Sequence, residues 1–196
     1  MATLSQMGIP GGGFGILHPK LKHKWQVTFV GLARLVPGVS AREITRQATN
    51  ITLPNLSFEE VPIHRYNSVA YVAGKHSWDP ISLTVEDDIT GLAAAAINGQ
   101  METQQRLIGG DLPGQWLNTG ATGSDYKFGT IIQGLDGNEG VVETWRLEGC
   151  WLQTRDAGDR DYSDSTAATI QMQIRFDHAR HELTGQGYGT ALNGNL

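Results

Sequence analysis

Alternation of apolar and polar residues, the pattern of a β-strand with one buried face, recurs along the middle of the chain. The clearest run lies near the end of the series, where Gln171, Gln173 and Arg175 separate four apolar residues. The apolar positions of the series are Trp25, Val27, Phe29, Ile51, Leu53, Ile81, Leu83, Val85, Trp145, Leu147, Ile170, Met172, Ile174 and Phe176. This pattern predicts a mainly antiparallel β protein.

One segment has helical spacing instead, and we expect a helix over residues 89–108. Asp88 or Thr90 can cap its start, and Gly109 follows its last apolar residue. Its apolar positions include Leu92, Ala93, Ala96, Ile97, Met101 and Ile108. A single helix among several antiparallel strands predicts a β-sandwich or β-barrel with the helix packed on one side or end.

Both ends of the chain are rich in glycine and poor in apolar residues. Residues 1–24 contain the run Gly8–Gly15 and then the basic residues Lys20, Lys22 and Lys24. Such a segment cannot bury enough surface to fold alone, so we expect a flexible N-terminal arm. Residues 184–196 predict a similar C-terminal tail, which leaves 25–183 as the folded domain.

The polar segment 54–80 is too long for a simple connection between two strands. Long loops on small domains usually carry a function. The segment can also contain a short hairpin, because residues 69–73 have an extended pattern, and the two interpretations are compatible.

Composition and charge narrow the class of protein. The 196 residues fit one domain, no run of about 18 apolar residues predicts a membrane span, and Met1–Gly13 lacks the features of a signal peptide. The net charge is −5, yet the first 50 residues carry six Lys and Arg against one acidic residue. A basic arm on an acidic body favours self-association over nucleic-acid binding, although a solvated arm is an alternative.

No motif in the sequence frames a catalytic or cofactor site, and we expect no enzyme, no metal and no cofactor. The glycine run does not end in the Lys and Ser or Thr of a phosphate-binding loop. His178 and His181 have no third ligand at a recognisable spacing, and Cys150 is expected to be a small packed residue. Carboxylates between residues 156 and 164 alternate with Arg155 and Arg160, which predicts a self-neutralised surface loop rather than a calcium site.

Five tryptophans have two expected roles. Trp25 and Trp145 share strand phases with aliphatic residues and are expected in the core. Trp78 and Trp116 lie in expected loops, where a large rigid side chain can anchor an interface between subunits.

Several short motifs, taken in order, resemble the tail tube proteins of contractile-tailed bacteriophages from about Trp25 to Asp177. The motifs are Thr52-Leu-Pro54, Glu60-Val-Pro-Ile63, Val72-Ala-Gly-Lys75, Val85-Glu-Asp87, Asp125-Tyr-Lys127 before Ile131-Ile132, and Glu148-Gly-Cys-Trp151. The resemblance also extends to the related tube proteins of type VI secretion. The long glycine-rich start and the residues after Glu182 depart from the family pattern.

The resemblance implies a structural virion protein with a β-sandwich or β-barrel and one flanking helix. Six copies would form a ring, and stacked rings would form a hollow tube inside a contractile sheath. Implied partners are other copies, the sheath protein, and the baseplate and tail terminator proteins. The tape measure protein and DNA would pass through without specific binding, no membrane would be involved, and assembly would occur in the host bacterial cytoplasm.

On this hypothesis, two sets of residues are expected at functional surfaces. Contacts between subunits or rings are assigned to Lys20, Lys22, Lys24, Glu59, Glu60, Arg65, Tyr66 and Trp78. Because carboxylates repel phosphates, the residues expected to face the lumen are Gln133, Glu143 and Glu148.

Three alternatives remain open at this stage. A type VI secretion-like tube or a baseplate subunit would share the fold but lack DNA or long polymerisation. A carbohydrate-binding β-sandwich would use Trp78, Trp116 and the acidic loop. An enzyme is the third alternative, although no motif supports it.

Overall fold

The computed structural model describes residues 20–32, 41–109, 126–135, 140–163 and 165–183. The predicted N-terminal arm before Lys20, the predicted tail 184–196 and Trp116 lie outside these ranges. The described elements are β1 (Trp25–Val30), α1 (Ala41–Gln47), β2 (Ala48–Ile51), β3 (Leu56–Arg65), β4 (Ser68–Trp78), β5 (Ile81–Glu86), α2 (Leu92–Gly109), β6 (Phe128–Leu135), β7 (Val141–Asp156), β8 (Thr169–Arg175) and β9 (His178–Leu183).

The long strand β7 is shared by two halves of the main sheet, and every described strand pair is antiparallel. The first half runs β1-β6-β7-β9, and it uses the first part of β7. The second half runs β7-β8-β5-β2, and it uses the last part of β7. The predicted mainly antiparallel β fold is therefore confirmed.

The two halves pack against each other through the alternate apolar residues that the sequence pattern identifies. Val27 and Leu147 of the first half belong to the same buried cluster as Leu83, Met172 and Ile174 of the second. This shared core makes the domain a β-sandwich with α2 beside it. Each fully buried side chain of this size contributes about 1.5–3 kcal/mol relative to an exposed one.

A glycine lets β7 bend from one half into the other. Gly149 has a φ of 68°, and a Cβ at this position would collide with the carboxylate of Asp177. Asp177 joins β8 to β9, and its amide donates to the carbonyl of Glu148 over 3.0 Å. Lys127 pairs with the Asp177 carboxylate at 2.5 Å. The bend in β7 and the bend between β8 and β9 are thus held together.

Helix α2 completes the edge of β7 that β6 leaves uncovered. The buried Gln104 side chain donates to the carbonyl of Leu152 over 2.9 Å and accepts from its amide over 3.0 Å. One turn earlier, Gln100 donates to the carbonyl of Tyr126 over 2.6 Å. The Gln104 amide therefore takes the place of a strand partner at Leu152, and the Gln100 amide satisfies the backbone just before β6, which explains polar residues on the buried face of the helix.

The helix begins at Leu92, later than the sequence pattern predicts. The hydroxyl of Thr90 donates to the Asp88 carboxylate, and the amide of Gly91 donates to the same group. The two predicted caps are thus engaged in a turn, and the Gly91 carbonyl accepts the first helical hydrogen bond from Ala95. The short helix α1, whose buried residue is Ile44, was not predicted.

We expect Gln104→Met to reduce the free energy of unfolding by about 2–4 kcal/mol, because the buried amide and carbonyl of Leu152 lose their partner. Chemical denaturation followed by tryptophan fluorescence measures this difference. Gln153→Met, at an exposed position on β7, is the matched control and should change stability by less than about 0.5 kcal/mol. Equal stability of the two variants would contradict the role assigned to Gln104.

Candidate assembly interface

The segment predicted as a long loop is a β-hairpin made of β3 and β4. Nine residue pairs join the strands, from Leu56↔Trp78 at the base to Arg65↔Ser68 at the tip. The two-residue connection Tyr66-Asn67 is the length that favours tight hairpin turns. A bulge beside Glu59 requires Gly74, because a Cβ there would crowd the Glu59 carbonyl and the Val61 side chain. The predicted possibility of a hairpin is correct, but the observed one is much longer.

The hairpin holds most of the exposed large apolar side chains of the described residues. Eight of the fourteen belong to it, although it contributes only 23 residues from Leu56 to Trp78. The eight are Leu56, Phe58, Val61, Ile63, Tyr66, Val69, Tyr71 and Val72. Contiguous exposed apolar surface of this kind marks a site of protein association. An isolated two-stranded hairpin is also marginally stable in water, so this one requires a covering surface.

The base of the hairpin is fixed to the domain by Trp78. Its ring lies 5.7 Å from that of Phe176 and 6.4 Å from that of His178, between ring centroids. Trp78 was predicted as an exposed anchor in a loop, but it ends strand β4 and packs against the core. Asn55 donates to Asp79 over 2.7 Å just below the first residue pair. The hairpin therefore projects from a firm attachment.

Four of the predicted contact residues lie together on the outer part of the hairpin. Glu59, Glu60 and Arg65 are exposed on β3, and Tyr66 at the tip is fully exposed. The sequence argument selected three charged residues and Tyr66, and it missed the other exposed apolar residues that lie among them. The signal was present, because Val61, Ile63, Val69 and Tyr71 alternate with other residues on both sides of the Tyr66-Asn67 turn.

The three predicted lysines lie on the body of the domain, beside a groove between β1, β2 and β6. The groove has a volume of about 470 Å³. Lys20, Lys22 and Lys24 line it together with one carboxylate, that of Glu143. Its apolar lining consists of Leu21, Trp25, Ile51, Leu53, Ile132 and Trp145. Among the described residues, the lining of the groove therefore combines an apolar floor with three lysines and one carboxylate.

Glu143 is held by cationic and aromatic neighbours at the rim of this groove. Its carboxylate accepts from Lys20 over 2.7 Å and lies 3.3 Å from Nε2 of His181. The His181 ring stacks on Trp145 with centroids 4.1 Å apart. Partial burial raises the pKa of Glu143, but the hydrogen bonds and charges of Lys20 and His181 together lower it below its ordinary value.

The residues predicted to face a lumen do not share one face. Glu148 and Gln133 lie on the outward face of the first half of the sheet, the face that points away from the shared core. Thr144, the register partner of Gln133, lies on the same face. Glu143 follows the other strand phase, with Trp145 and Leu147, and lines the groove, whose border Gln133 also reaches. Whether the outward face lines a lumen stays a prediction.

Several contacts involve the residues of the carbohydrate-site and metal-site alternatives. Trp78 packs against the domain and offers no exposed aromatic platform. Asp156 and Asp161 accept hydrogen bonds from backbone amides in their own loop, and Arg160 pairs with Asp87. Within the described residues, no three His, Cys, Asp or Glu side chains are placed to hold a metal ion.

Three further findings concern the remaining sequence candidates. His178 and His181, three apart on β9, lie on opposite faces of the sheet. In the part of the chain that the structure describes, no helix has the length and apolar character to span a membrane. Cys150 is buried, and burial raises the pKa of its thiol to about 11.

We expect Glu143→Gln to lower the free energy of unfolding near pH 7 by about 0.5–1 kcal/mol, the range of a partly exposed ion pair. Because the folded-state pKa of Glu143 is lowered, its contribution is present above the unfolded value of 4.5 and is lost as the pH falls through the folded value. Urea unfolding from pH 7 down to pH 3 measures this. Glu148→Gln is the control, and a difference that persists in acid would contradict the assignment.

Because its raised pKa keeps the buried thiol protonated, Cys150 should resist thiol-specific reagents at pH 8 in the folded protein. It should react fully in denaturant. A maleimide labelling time course with mass spectrometry measures both rates. Fast labelling of the folded protein would show that the thiol is accessible and would contradict the assigned packing role.

No protein-family model matches the chain, and no curated protein matches it in sequence. Solved structures share the fold. A chain of the anti-feeding prophage tube-terminating cap has a TM-score of 0.60 at 13% identity, and the match covers 91% of this chain and 100% of that one. A chain of the anti-feeding prophage baseplate has a TM-score of 0.59 at 12% identity, with 85% and 97% covered.

A third similar structure is a chain of the PVC sheath-tube complex, from an extracellular contractile injection system in the extended state. Its TM-score is 0.54 at 10% identity, and the match covers 94% of this chain and 100% of that one. At these identities the likeness establishes the fold. The resemblance found in the sequence is confirmed at that level: the protein has a tail tube-like fold, shared with chains of contractile injection systems.

Proposed function

We propose that this protein is a structural subunit of a phage tail tube: six copies form a ring, and rings stack into the hollow tube inside a contractile sheath. The observation that carries the proposal is the projecting hairpin with its exposed apolar side chains. The fold shared with chains of a sheath-tube complex, a tube-terminating cap and a baseplate supports it. The role requires no active site, and we propose that the protein is not an enzyme.

The hairpin has the dimensions of a contact between stacked rings. Ten residues of extended strand span about 33 Å, so the tip at Tyr66 reaches far beyond the domain. Burying half-exposed side chains such as Phe58 and Tyr71 against another ring would contribute on the order of 1 kcal/mol each. Each such contact contributes little free energy. Several contacts per subunit, repeated around a ring, nevertheless give a strong total interaction.

Ring closure requires a different surface, and the sheet edges supply it. Within the described residues β1 pairs only with β6, β2 only with β5, and β9 only with β7. An uncovered edge carries unpaired backbone donors and acceptors and is a template for pairing with another chain. A cyclic assembly of identical copies uses two different surfaces of each subunit, which these edges provide.

For the lumen we keep Gln133 and Glu148, on the outward face of the first half of the sheet, as the proposed lining. The strand phases put two arginines, Arg146 and Arg180, and two carboxylates, Glu148 and Glu182, on this face, and Arg146 pairs with Glu182 over 3.3 Å. Because the carboxylates balance the arginines, these residues give the face no excess of positive charge with which to hold phosphate tightly. We leave Glu143 out of this lining because its carboxylate is engaged by Lys20 and His181.

The proposed partners follow from this position in a tail. They are other copies of the chain, the sheath protein, the baseplate and the tail terminator, with the tape measure protein and DNA inside the tube. The particle would be assembled in the cytoplasm of a host bacterium and would function as part of a virion.

A second candidate function is a baseplate or cap subunit, or a type VI-like tube. The TM-scores favour the baseplate or cap subunit, since the cap and baseplate chains score 0.60 and 0.59 and the sheath-tube chain 0.54. A cap or baseplate subunit would form a single ring that does not continue into a tube, and a secretion tube would carry no DNA.

Negative-stain electron microscopy of the purified protein over a concentration series tests the proposal. We expect hollow rings at low concentration and tubes of uniform width at high concentration. Rings that never stack would favour the cap or baseplate function. A monomer at every concentration, confirmed by light scattering, would contradict both.

Removing the outer hairpin should abolish stacking and leave the domain folded. The variant joins Ser57 to Ser77 through a short Asn-Gly turn, which keeps their 2.9 Å hydroxyl contact and the packing of Trp78. We expect rings without tubes, and we expect Phe58→Ser to raise the tube-forming concentration about tenfold, because a lost contact of 1.4 kcal/mol is a factor of ten. Tyr162→Ser, at a fully exposed apolar position off the hairpin, is the control and should assemble normally.

A further inference from the structure

The two faces of the hairpin have different chemistry, as the strand register shows. Residues paired directly across antiparallel strands point to the same face, and successive residues alternate. We name one the aromatic face; its apolar members are Leu56, Phe58, Pro62, Val69, Tyr71, Ala73 and Trp78. We name the other the aliphatic face; its apolar members are Val61, Ile63, Ala70 and Val72.

Among the residues that the structure describes, the rest of the domain leaves both faces largely exposed. On the aromatic face, Phe58 is 60% exposed and Tyr71 64%. On the aliphatic face, Val61 is 45% exposed and Val72 50%. Trp78, at the base, packs against the domain through Phe176 and His178. A hairpin lying flat on one surface would need apolar residues on one face, and this hairpin has them on both.

The charged residues are also divided between the faces. Glu60, His64 and His76 lie on the aromatic face, Glu59 and Arg65 lie on the aliphatic face, and Lys75 lies in the bulge opposite Glu59. The aromatic face therefore presents one carboxylate and no lysine or arginine, whereas Arg65 balances Glu59 on the aliphatic face. The described residues that line the groove at Trp25 include three lysines and one carboxylate above an apolar floor. This surface is complementary to the aromatic face, and because it belongs to the same chain it supports another copy of the chain as the occupant.

We infer that the hairpin inserts between two other copies of this chain, which cover its aromatic and aliphatic faces separately. This inference rests on the proposed function, and it goes beyond that function because it gives each hairpin two partners. In a ring of identical subunits joined head to tail, a seam presents unlike surfaces of two adjacent copies. A projection that enters such a seam needs two unlike faces, and the aromatic and aliphatic faces meet that requirement.

Photo-crosslinking in assembled particles tests the inference. Tyr71 and Val72 are neighbours on β4 that point to opposite faces. A photo-crosslinking amino acid replaces Tyr71, Val72 or both in a tagged chain, which is assembled with a large excess of unlabelled protein, so that each product contains one labelled chain. Each single replacement should give a two-chain product, and the double replacement should give a three-chain product.

The matched control places both photo-crosslinkers on one face, at Val69 and Tyr71. This pair should lose the three-chain product, because both positions contact the same copy. Particle formation by each labelled chain is checked by electron microscopy before irradiation.

The outcomes separate the two levels of the proposal. Particles that give only two-chain products with the Tyr71 and Val72 pair would overturn the two-partner inference and leave the tube proposal intact. Equal three-chain yield from the same-face pair would overturn it as well. Failure of the unlabelled protein to form rings or tubes at any concentration would overturn the proposed function and the inference together.

Discussion

The bend at Gly149 is the constraint on which the rest of the structure depends. It lets a single strand, β7, belong to both halves of the sandwich, and the carboxylate of Asp177 occupies the space that a side chain at Gly149 would need. The residues on either side of Asp177 have further roles. Phe176 is buried in the core, and the rings of Phe176 and His178 contact Trp78. The corner that joins the halves therefore also holds the base of the hairpin.

The open edges of this architecture are managed in different ways. Along the last part of β7, Gln104 supplies a donor and an acceptor to the backbone of Leu152, so this edge is satisfied within the chain at that point. The other sides of β1, β2 and β9 have no strand partner among the described residues. A protein whose edges are closed on one side and open on others is suited to directed assembly, because pairing is limited to the edges that remain available.

The hairpin places the surface of lowest solubility at the position farthest from the core. An exposed apolar arm is unfavourable for a subunit that remains a monomer and favourable for one that is covered on assembly. The body carries a groove whose lining combines lysines with an apolar floor. Projection and groove belong to the same chain, so a population of identical copies contains both members of the interaction.

The sequence by itself determined the class of fold and much of the core. Alternation correctly assigned buried faces in β1, β5 and β8, since a period of two leaves little choice once a strand has one buried side. It also indicated the helix and marked residues 54–80 as more than a simple connection between strands, and the ordered motifs identified a tail tube-like fold. These features depend on neighbouring residues, so a single sequence is sufficient to show them.

Only the tertiary structure decided which groups meet. Nothing in the sequence around Gln104 indicates its partner, Leu152, which lies 48 residues away. Glu143 was expected to share a face with Glu148, but an odd separation along one strand puts them on opposite faces, and Lys20 then reaches Glu143 from the start of the chain. Trp78 was expected in solvent and packs on Phe176. Strand periodicity fixes relative orientation within an element, whereas contacts between distant elements depend on how the whole chain is connected and packed.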